Sequence, residues 1–212
     1  HGFMALVEAI RPAQATLVPD GNAQLTSDHG FDLRKDGDRL APIIAQLKDW
    51  GCRVSLFMDP EPDDMALAAA IGADRVELYT ESYAVAFAKG DYTEVLDRFS
   101  ASALAAHEAG MGVNAGHDLN LVNLPQFTIP HLLGGSIGHA LTVDALRLGF
   151  TESVKRYVEA LAARASGRGS QSTPATQSCP LKPQTSHPIV STLAPPQLPR
   201  RGVHPCSITT SR

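Results

Sequence analysis

The chain has 212 residues, of which 43% are hydrophobic and 19% charged, and a formal net charge of −4, values ordinary for a globular protein of one or two domains. No apolar run approaches the roughly 20 residues that a membrane-spanning helix needs, so we expect no membrane partner. The cysteines, Cys52, Cys179 and Cys206, are scattered and form no metal-like or redox-like cluster. With no secretory signal, this pattern favours the cytoplasm.

The composition changes at residue 166. Residues 166–212 contain no Asp or Glu, five Lys or Arg, and eight of the fifteen prolines. Their charge is +5, and because the whole chain is −4, residues 1–165 carry −9. A polar, Pro-rich segment cannot bury enough apolar surface to offset the entropy lost on ordering. We expect a folded domain over 1–165 and a disordered basic tail over 166–212, with charges too dispersed to favour nucleic acid.

Helix-like and strand-like segments alternate through residues 1–165. Apolar residues at helical spacing predict helices over 3–10, 40–50, 63–71, 92–109 and 143–163. Runs of β-prone residues predict strands over 15–18, 53–58, 75–79, 112–115 and 135–141. This alternation predicts an α/β fold built from parallel β/α units.

Both a doubly wound sheet and a partial (β/α)₈ TIM barrel fit five such strands. The barrel is favoured by the polar residues that fall in or just after the strand runs, because the loops there converge on one mouth. These residues are Asp20, Asp59, Glu77, Thr80, Asn114, His117 and His139. Periodicity alone leaves the doubly wound sheet open.

Three segments contain residues suited to chemistry. His117 follows a predicted strand and small residues, where an imidazole could transfer protons or could simply cap a loop. The glycines of 134–138, next to His139, could let backbone amides approach a phosphate or could serve tight turns. Glu77 lies in an otherwise apolar strand, and a carboxylate pointing into the barrel would need a partner or a catalytic role.

Taken together, these segments resemble the pyridoxine 5′-phosphate synthase family from residue 1 to about 164. The matching runs are Leu17-Val18-Pro19-Asp20, Gln24-Leu25-Thr26-Ser27-Asp28-His29-Gly30, Arg53-Val54-Ser55-Leu56-Phe57-Met58-Asp59, Val76-Glu77-Leu78-Tyr79-Thr80, Val113-Asn114-Ala115-Gly116-His117 and Ile137-Gly138-His139-Ala140. The pair Asn-Ala-Gly-His and Ile-Gly-His, some twenty residues apart, is the most specific feature.

The resemblance implies a (β/α)₈ barrel that joins 1-deoxy-D-xylulose 5-phosphate to 3-amino-2-oxopropyl phosphate without a metal or organic cofactor. It implies that His117 donates protons and that Glu77 stabilises charge in the transition state. Thr26 would touch the deoxyxylulose phosphate. Gly138 and His139, with the backbone of Asp118, would hold the phosphate of the aminoketone. The family often has Gly where this chain has Asp118, which leaves the role of that residue open.

The resemblance also implies that the chain corresponds to about the last five β/α units of the barrel. The family's first three units supply an Asn-x-Asp-His segment, a His and an Arg on the second strand, and a Glu on the third, and none of these is present here. Five strands cannot close an eight-stranded barrel. We therefore expect the chain by itself to be inactive, and the full-length protein to be a homo-oligomer.

Two other functions stay open. Another phosphosugar-binding barrel enzyme would share the glycine-rich phosphate site, although a Schiff-base aldolase would need a Lys at a strand end and no strand here offers one. A non-catalytic half-barrel could instead serve oligomerisation or hold a ligand.

Overall fold

The computed structural model describes residues 2–21 and 26–165, in which helices and strands alternate along the chain. In chain order the elements are α1 (Phe3–Ile10), β1 (Gln14–Leu17), α2 (Leu33–Asp49), β2 (Arg53–Met58), α3 (Pro62–Ala70), β3 (Arg75–Tyr79), α4 (Glu81–Lys89), α5 (Thr93–Glu108), β4 (Gly112–Gly116), a 3₁₀ helix (Leu124–Gln126), β5 (Leu132–Ser136), α6 (His139–Leu148) and α7 (Phe150–Ala165). None of the helices in these ranges is long and apolar enough to cross a membrane. The predicted tail, 166–212, and the predicted loop residues 22–25 lie outside the described residues.

The five strands form one parallel sheet in the order β1-β2-β3-β4-β5. Each strand therefore pairs with the next one along the chain. A doubly wound sheet has a point at which the strand order reverses, and the described sheet has no such reversal. The order confirms the consecutive β/α units of a partial (β/α)₈ barrel.

One face of the sheet forms the hydrophobic core with the helices. Leu17 pairs with Leu56, Leu56 with Val76, and Val76 with Val113, so that one row of apolar side chains crosses four strands. These side chains are buried and pack in one cluster with residues of the surrounding helices. Because successive side chains of a strand point to opposite faces, the next residue of each strand lies on the other side.

The opposite face carries polar and aromatic side chains. Phe57 pairs with Glu77, and Glu77 with Asn114, in the row next to the apolar one. All three are buried, yet none belongs to the cluster that packs against the helices. In a barrel this second face is the interior, so the sheet turns Glu77 inward.

Local signals explain where several helices begin and end. The side chain of Asp32 accepts a hydrogen bond from the backbone of Arg34 (3.2 Å) and so caps the start of α2. Pro62 occupies the first turn of α3, where the missing N–H costs nothing. Gly90 ends α4 with φ +82°, a left-handed conformation that favours glycine.

The structure differs from the predicted elements by one additional helix, by the position of one strand and by the division of one helix, and α2 begins at Leu33 where we predicted 40. Helix α4 was not predicted, and its one fully buried side chain, Tyr83, packs against the aromatic rings of the core. Strand β5 lies at Leu132–Ser136, whereas we predicted 135–141, because pairing with β4 and not intrinsic β-propensity selects this glycine-rich run. The single predicted helix over 143–163 is two helices, which Gly149 separates at φ +86°.

Candidate active site

The carboxyl ends of three neighbouring strands bring most of the predicted site residues to one edge of the sheet. Tyr79 pairs with Gly116, and Gly116 with Ser136, at the last position of each strand. The residues that follow are Thr80 after β3, His117 after β4, and the Gly138–His139 step after β5. Because the strands are parallel and adjacent, His117 and the Gly138–His139 step open onto the same edge.

His117 has a conformation that its surroundings hold in place. Its φ is +79° and that of Asp118 is +54°, two consecutive left-handed residues that are uncommon outside glycine. The hydroxyl of Thr80 donates to the carbonyl of Gly116 (2.6 Å) and also lies against the carbonyl of His117. The side chain of Asn123 donates to the carbonyl of Asp118 (2.9 Å). These contacts fix the backbone on both sides of the imidazole.

The imidazole of His117 is partly buried. Its ring centroid lies 4.8 Å from that of Phe57 and 5.2 Å from that of Tyr79. Burial lowers the pKa of His117 below its usual value, although the charges of Asp118, Asp20 and Glu81 act in the opposite direction. At neutral pH the ring is therefore neutral and able to accept a proton.

Glu77 is completely buried on the interior face of the sheet. Its carboxylate lies beside Gly116, where an added Cβ would be 2.4 Å from Oε1 of Glu77. Glu77 thus lies directly beneath the loop that begins with His117. The side chain of Glu77 therefore points into the barrel, the orientation in which we expected it to have a partner or a catalytic role.

Farther from the mouth, two arginines organise the same interior face. Arg75 donates to Oδ1 of Asn114 (3.0 Å), and Arg53 donates to Oε1 of Gln14 (2.8 Å). Asn114, which the sequence placed among the strand-end polar residues, is thus one layer below the mouth and hydrogen-bonded to a cation.

The Gly138–His139 step forms the start of helix α6. Gly138 is the N-cap residue, and its carbonyl accepts from the backbone of Thr142 (3.1 Å). The first N–H groups of a helix have no partner within the helix and favour an anion. Gly138 and His139 are exposed, and an added Cβ on Gly138 would meet no atom within 4 Å. The start of α6 is therefore open to solvent.

Thr26 lies on the loop after β1, where it is exposed. Among the described contacts, none joins it to His117, Glu77 or the Gly138–His139 step. The neighbouring Ser27 is buried and donates to Oδ2 of Asp20 (2.9 Å). The strand register places His117, Asp118, Gly138 and His139 at one edge of the sheet with Glu77 below them, and no described contact links Thr26 to that group.

The sequence reasoning did not assign a role to Phe57, Tyr79 or Glu81. An aromatic residue in a strand normally belongs to the core, so the sequence carried no signal for the first two. Asp20 and Thr80 were recognised as strand-end polar residues without a role. In the part of the chain that the structure describes, no three His, Cys, Asp or Glu residues group as metal ligands.

Comparisons with known proteins match the folded region. The family model described as "Pyridoxal phosphate biosynthesis protein PdxJ" matches residues 1–163. The pyridoxine 5′-phosphate synthases of Xanthomonas campestris pv. campestris (strain B100) and Albidiferax ferrireducens are each 52% identical, over 76% of this chain and 64% of theirs. That of Xylella fastidiosa (strain 9a5c) is 49% identical, over 76% of this chain and 62% of its own.

This chain thus spans 64% or less of the length of these three relatives. The match covers every strand of the sheet and the whole of the site just described. The chain belongs to the PdxJ family of pyridoxal phosphate biosynthesis proteins.

Proposed function

We propose that this chain forms the larger part of a pyridoxine 5′-phosphate synthase, which condenses 1-deoxy-D-xylulose 5-phosphate with 3-amino-2-oxopropyl phosphate. The observation that carries the proposal is the position of His117 and the start of α6 at one edge of a parallel sheet, with the carboxylate of Glu77 one layer below them. The names of the relatives, at about half identity, support the same reaction.

In this reaction His117 would move protons in both directions. Ring closure passes through imine, enamine and carbinol intermediates, each of which must gain or lose a proton. A neutral imidazole first takes a proton from one intermediate and later returns it to a departing hydroxyl, which leaves as water. The donor role that the resemblance implies is thus the second half of a cycle in which His117 starts as the acceptor.

Glu77 would stabilise positive charge on the imine nitrogen. It is buried beside the loop of His117, where water cannot screen its charge. A fixed carboxylate at this position favours a cationic intermediate over the neutral ground state, which is the condition for a lower barrier.

The phosphate of the aminoketone would bind at Gly138 and His139, through the exposed N–H groups at the start of α6 and the N–H of Asp118. Asp118 has φ +54°, a conformation that favours glycine, and this explains the glycine that the family often has there. The aspartate keeps the N–H but adds a negative charge near the anion. We propose that Thr26 contacts the phosphate of the other substrate, from the loop after β1.

We also propose a cytoplasmic homo-oligomer that acts on these two small phosphorylated substrates. Leu146, Phe150 and Val158, on α6 and α7, are 86%, 68% and 59% exposed, an apolar surface that a second copy could cover. Among the described residues Cys52 is a buried free thiol, which suits a reducing compartment. The oligomer is proposed for the full-length protein, in which sedimentation velocity should show a species larger than the monomer; a single monomeric species would reject this part of the proposal.

The test of the proposed reaction compares two proteins. One is the chain itself, which we expect to form no product. The other is a fusion in which the N-terminal segment of the Xanthomonas relative precedes residue 2 of this chain. With both substrates, the fusion should release pyridoxine 5′-phosphate, detected by its fluorescence after chromatography. His117→Ala in the fusion should reduce the rate at least about 100-fold. A folded fusion that forms no product would reject the proposal.

A further inference from the structure

Two aromatic side chains pack against the imidazole of His117. The ring centroids of Phe57 and His117 are 4.8 Å apart, those of Tyr79 and His117 are 5.2 Å apart, and those of Phe57 and Tyr79 are 5.2 Å apart. Tyr79 meets the imidazole edge-on, at an interplanar angle of 81°. Tilted and edge-on contacts over roughly 4.5–7 Å are the ones that aromatic rings prefer. The three rings therefore form a closed triangle.

Phe57 and Tyr79 lie apart from the main hydrophobic core. Both are buried, at 0% and 8% exposure, but the cluster that packs against the helices includes neither of them. Their positions in the register, beside Glu77 and Gly116, place them on the interior face just below the mouth. Packing in the main core therefore does not explain why two aromatic rings lie on this polar face. Both rings contact the imidazole of His117.

The turn after β3 holds this arrangement together. The hydroxyl of Tyr79 donates to Oε2 of Glu81 (3.2 Å), which fixes the phenol ring. Burial, and then the nearby charge of Glu81, raise the pKa of Tyr79 well above its ordinary value, so the phenol stays neutral and remains a donor. Thr80, between them, holds the backbone at Gly116 and His117. Three consecutive residues thus position both the ring and the backbone of His117.

We propose that Phe57 and Tyr79 are positioning residues: both rings pack against the imidazole of His117, and this aromatic clamp fixes its orientation and keeps water from the side that it covers. This assignment deepens the proposed function and rests on it only for the chemistry that His117 performs. The clamp keeps the ring neutral until a substrate supplies a proton.

The charged groups around His117 show why the clamp is needed. Asp20 follows β1, Glu81 begins α4, and Asp118 is adjacent in the chain; all three carboxylates favour the protonated ring. From β2 and β3 the rings of Phe57 and of the neutral Tyr79 contact the imidazole, and the buried carboxylate of Glu77 lies on the same face of β3 beside Gly116. Burial outweighs the carboxylates, and the two rings in contact with the imidazole contribute to that burial, so removal of a ring should shift the balance toward the carboxylates.

The test is an NMR titration of the histidines in the full chain, which reports on the ring whether or not product forms. In Phe57→Ala, water enters beside the imidazole. We expect the titration midpoint of His117 to rise by about half a pH unit, toward the usual value for histidine. We also expect the ring-current shifts of its carbon-bound protons to shrink.

Phe99→Ala is the matched control. Phe99 is as deeply buried as Phe57, but its ring contacts are with Tyr83 and Phe127 in the helix-side core. It should destabilise the chain to a similar degree and leave the midpoint and shifts of His117 unchanged. Tyr79→Phe keeps the ring and removes only the hydroxyl, so it should move the midpoint less than Phe57→Ala does.

The clamp is overturned if Phe57→Ala leaves both signals of His117 as they are in the unmodified chain, or if Phe99→Ala moves them equally. Should Phe57→Ala fail to fold, Phe57→Leu retains most of the volume without the ring, and unchanged ring-current shifts in that variant would equally overturn it. Absence of product from the fusion protein would count against the proposed function and would leave these NMR outcomes as they are.

Discussion

The carboxylate of Glu77 lies against the backbone of Gly116 on the neighbouring strand, so closely that a methyl group on Gly116 would be 2.4 Å from Oε1 of Glu77. The same methyl group would lie 3.0 Å from Cβ of Ser136 on β5. Three strands therefore meet at this point with no spare volume. A glycine immediately before His117 is what lets a buried carboxylate lie beneath it.

Gly116→Ala should disturb both the fold and the site. The new methyl group must displace Glu77 or separate β4 from β5, and overpacking of this kind costs about 1–3 kcal/mol of the free energy of unfolding. Urea unfolding would measure the loss. The control is Gly37→Ala, inside α2, where the added Cβ would lie 3.8 Å from a methyl group of Ile71, an ordinary contact distance. That variant should be as stable as the unmodified chain or slightly more stable. Equal stability of Gly116→Ala and the unmodified chain would contradict the packing described.

His117 should make stability depend on pH. Its pKa in the folded chain lies below the value in the unfolded chain, so between these two values the unfolded chain binds more protons and stability increases with pH. The neutral ring contributes fully to the free energy of unfolding above the pKa that His117 has in the unfolded chain. This contribution is lost as the pH falls through the pKa that His117 has in the folded chain. The free energy of unfolding would be measured for the unmodified chain and for His117→Gln at pH 5 and at pH 7.5. The value for the unmodified chain minus the value for His117→Gln should be larger at pH 7.5. A difference that is the same at both pH values would contradict this.

Asp118→Gly should tighten phosphate binding and should not weaken the fold. Glycine adopts the φ of +54° without strain, and the substitution removes a carboxylate close to the proposed phosphate site. Asp118→Ala is the informative comparison, since it removes the charge but keeps a Cβ in the left-handed region. Calorimetry with inorganic phosphate should show tighter binding for both variants, whereas urea unfolding should show Asp118→Ala to be the less stable of the two. Weaker binding in both would show that the carboxylate assists the anion.

Tyr157→Phe should loosen helix α6. The hydroxyl of Tyr157, on α7, donates to Oδ2 of Asp144, on α6 (2.8 Å). Burial and the adjacent carboxylate raise the pKa of Tyr157, so the phenol remains a donor at all physiological pH values. Loss of a hydrogen bond to a charged group costs about 1.5–3 kcal/mol, of which we expect the lower end because Asp144 can turn to solvent. Urea unfolding measures it, and an unchanged midpoint would contradict a structural role for this contact.

Much of the fold could be predicted because the interior strands carry strong local signals. The predicted bounds of β2 and β3 agree with the structure, since both are runs of apolar residues with abrupt polar ends. Strand β5 and the break at Gly149 could not be located in this way. A Leu-Leu-Gly-Gly-Ser run has little intrinsic preference for a strand, and its place is decided by pairing with β4, a long-range contact that no local window contains.

The residues of the candidate site also differ in whether the local sequence reveals them. The positions of His117 and the Gly138–His139 step after strands, and the inward orientation of Glu77, could be predicted, because a polar residue at a strand end or a carboxylate in an apolar strand is a local signal; their roles stay predictions. Phe57 and Tyr79 could not, since their side chains are of the kind that fills a core. Only the register, which places them beside Glu77 on the face away from the helices, distinguishes them from core residues.

The most direct measurement for the whole account is an NMR titration of the ¹⁵N-labelled chain with 3-amino-2-oxopropyl phosphate. If one ligand occupies a single mouth, the imidazole signals of His117 and the amide signals of Gly138 and His139 will shift together and give one dissociation constant. Shifts at Gly138 and His139 without any at His117, or with a clearly different constant, would mean that the two groups serve separate surfaces, and the assignment of the site would be wrong.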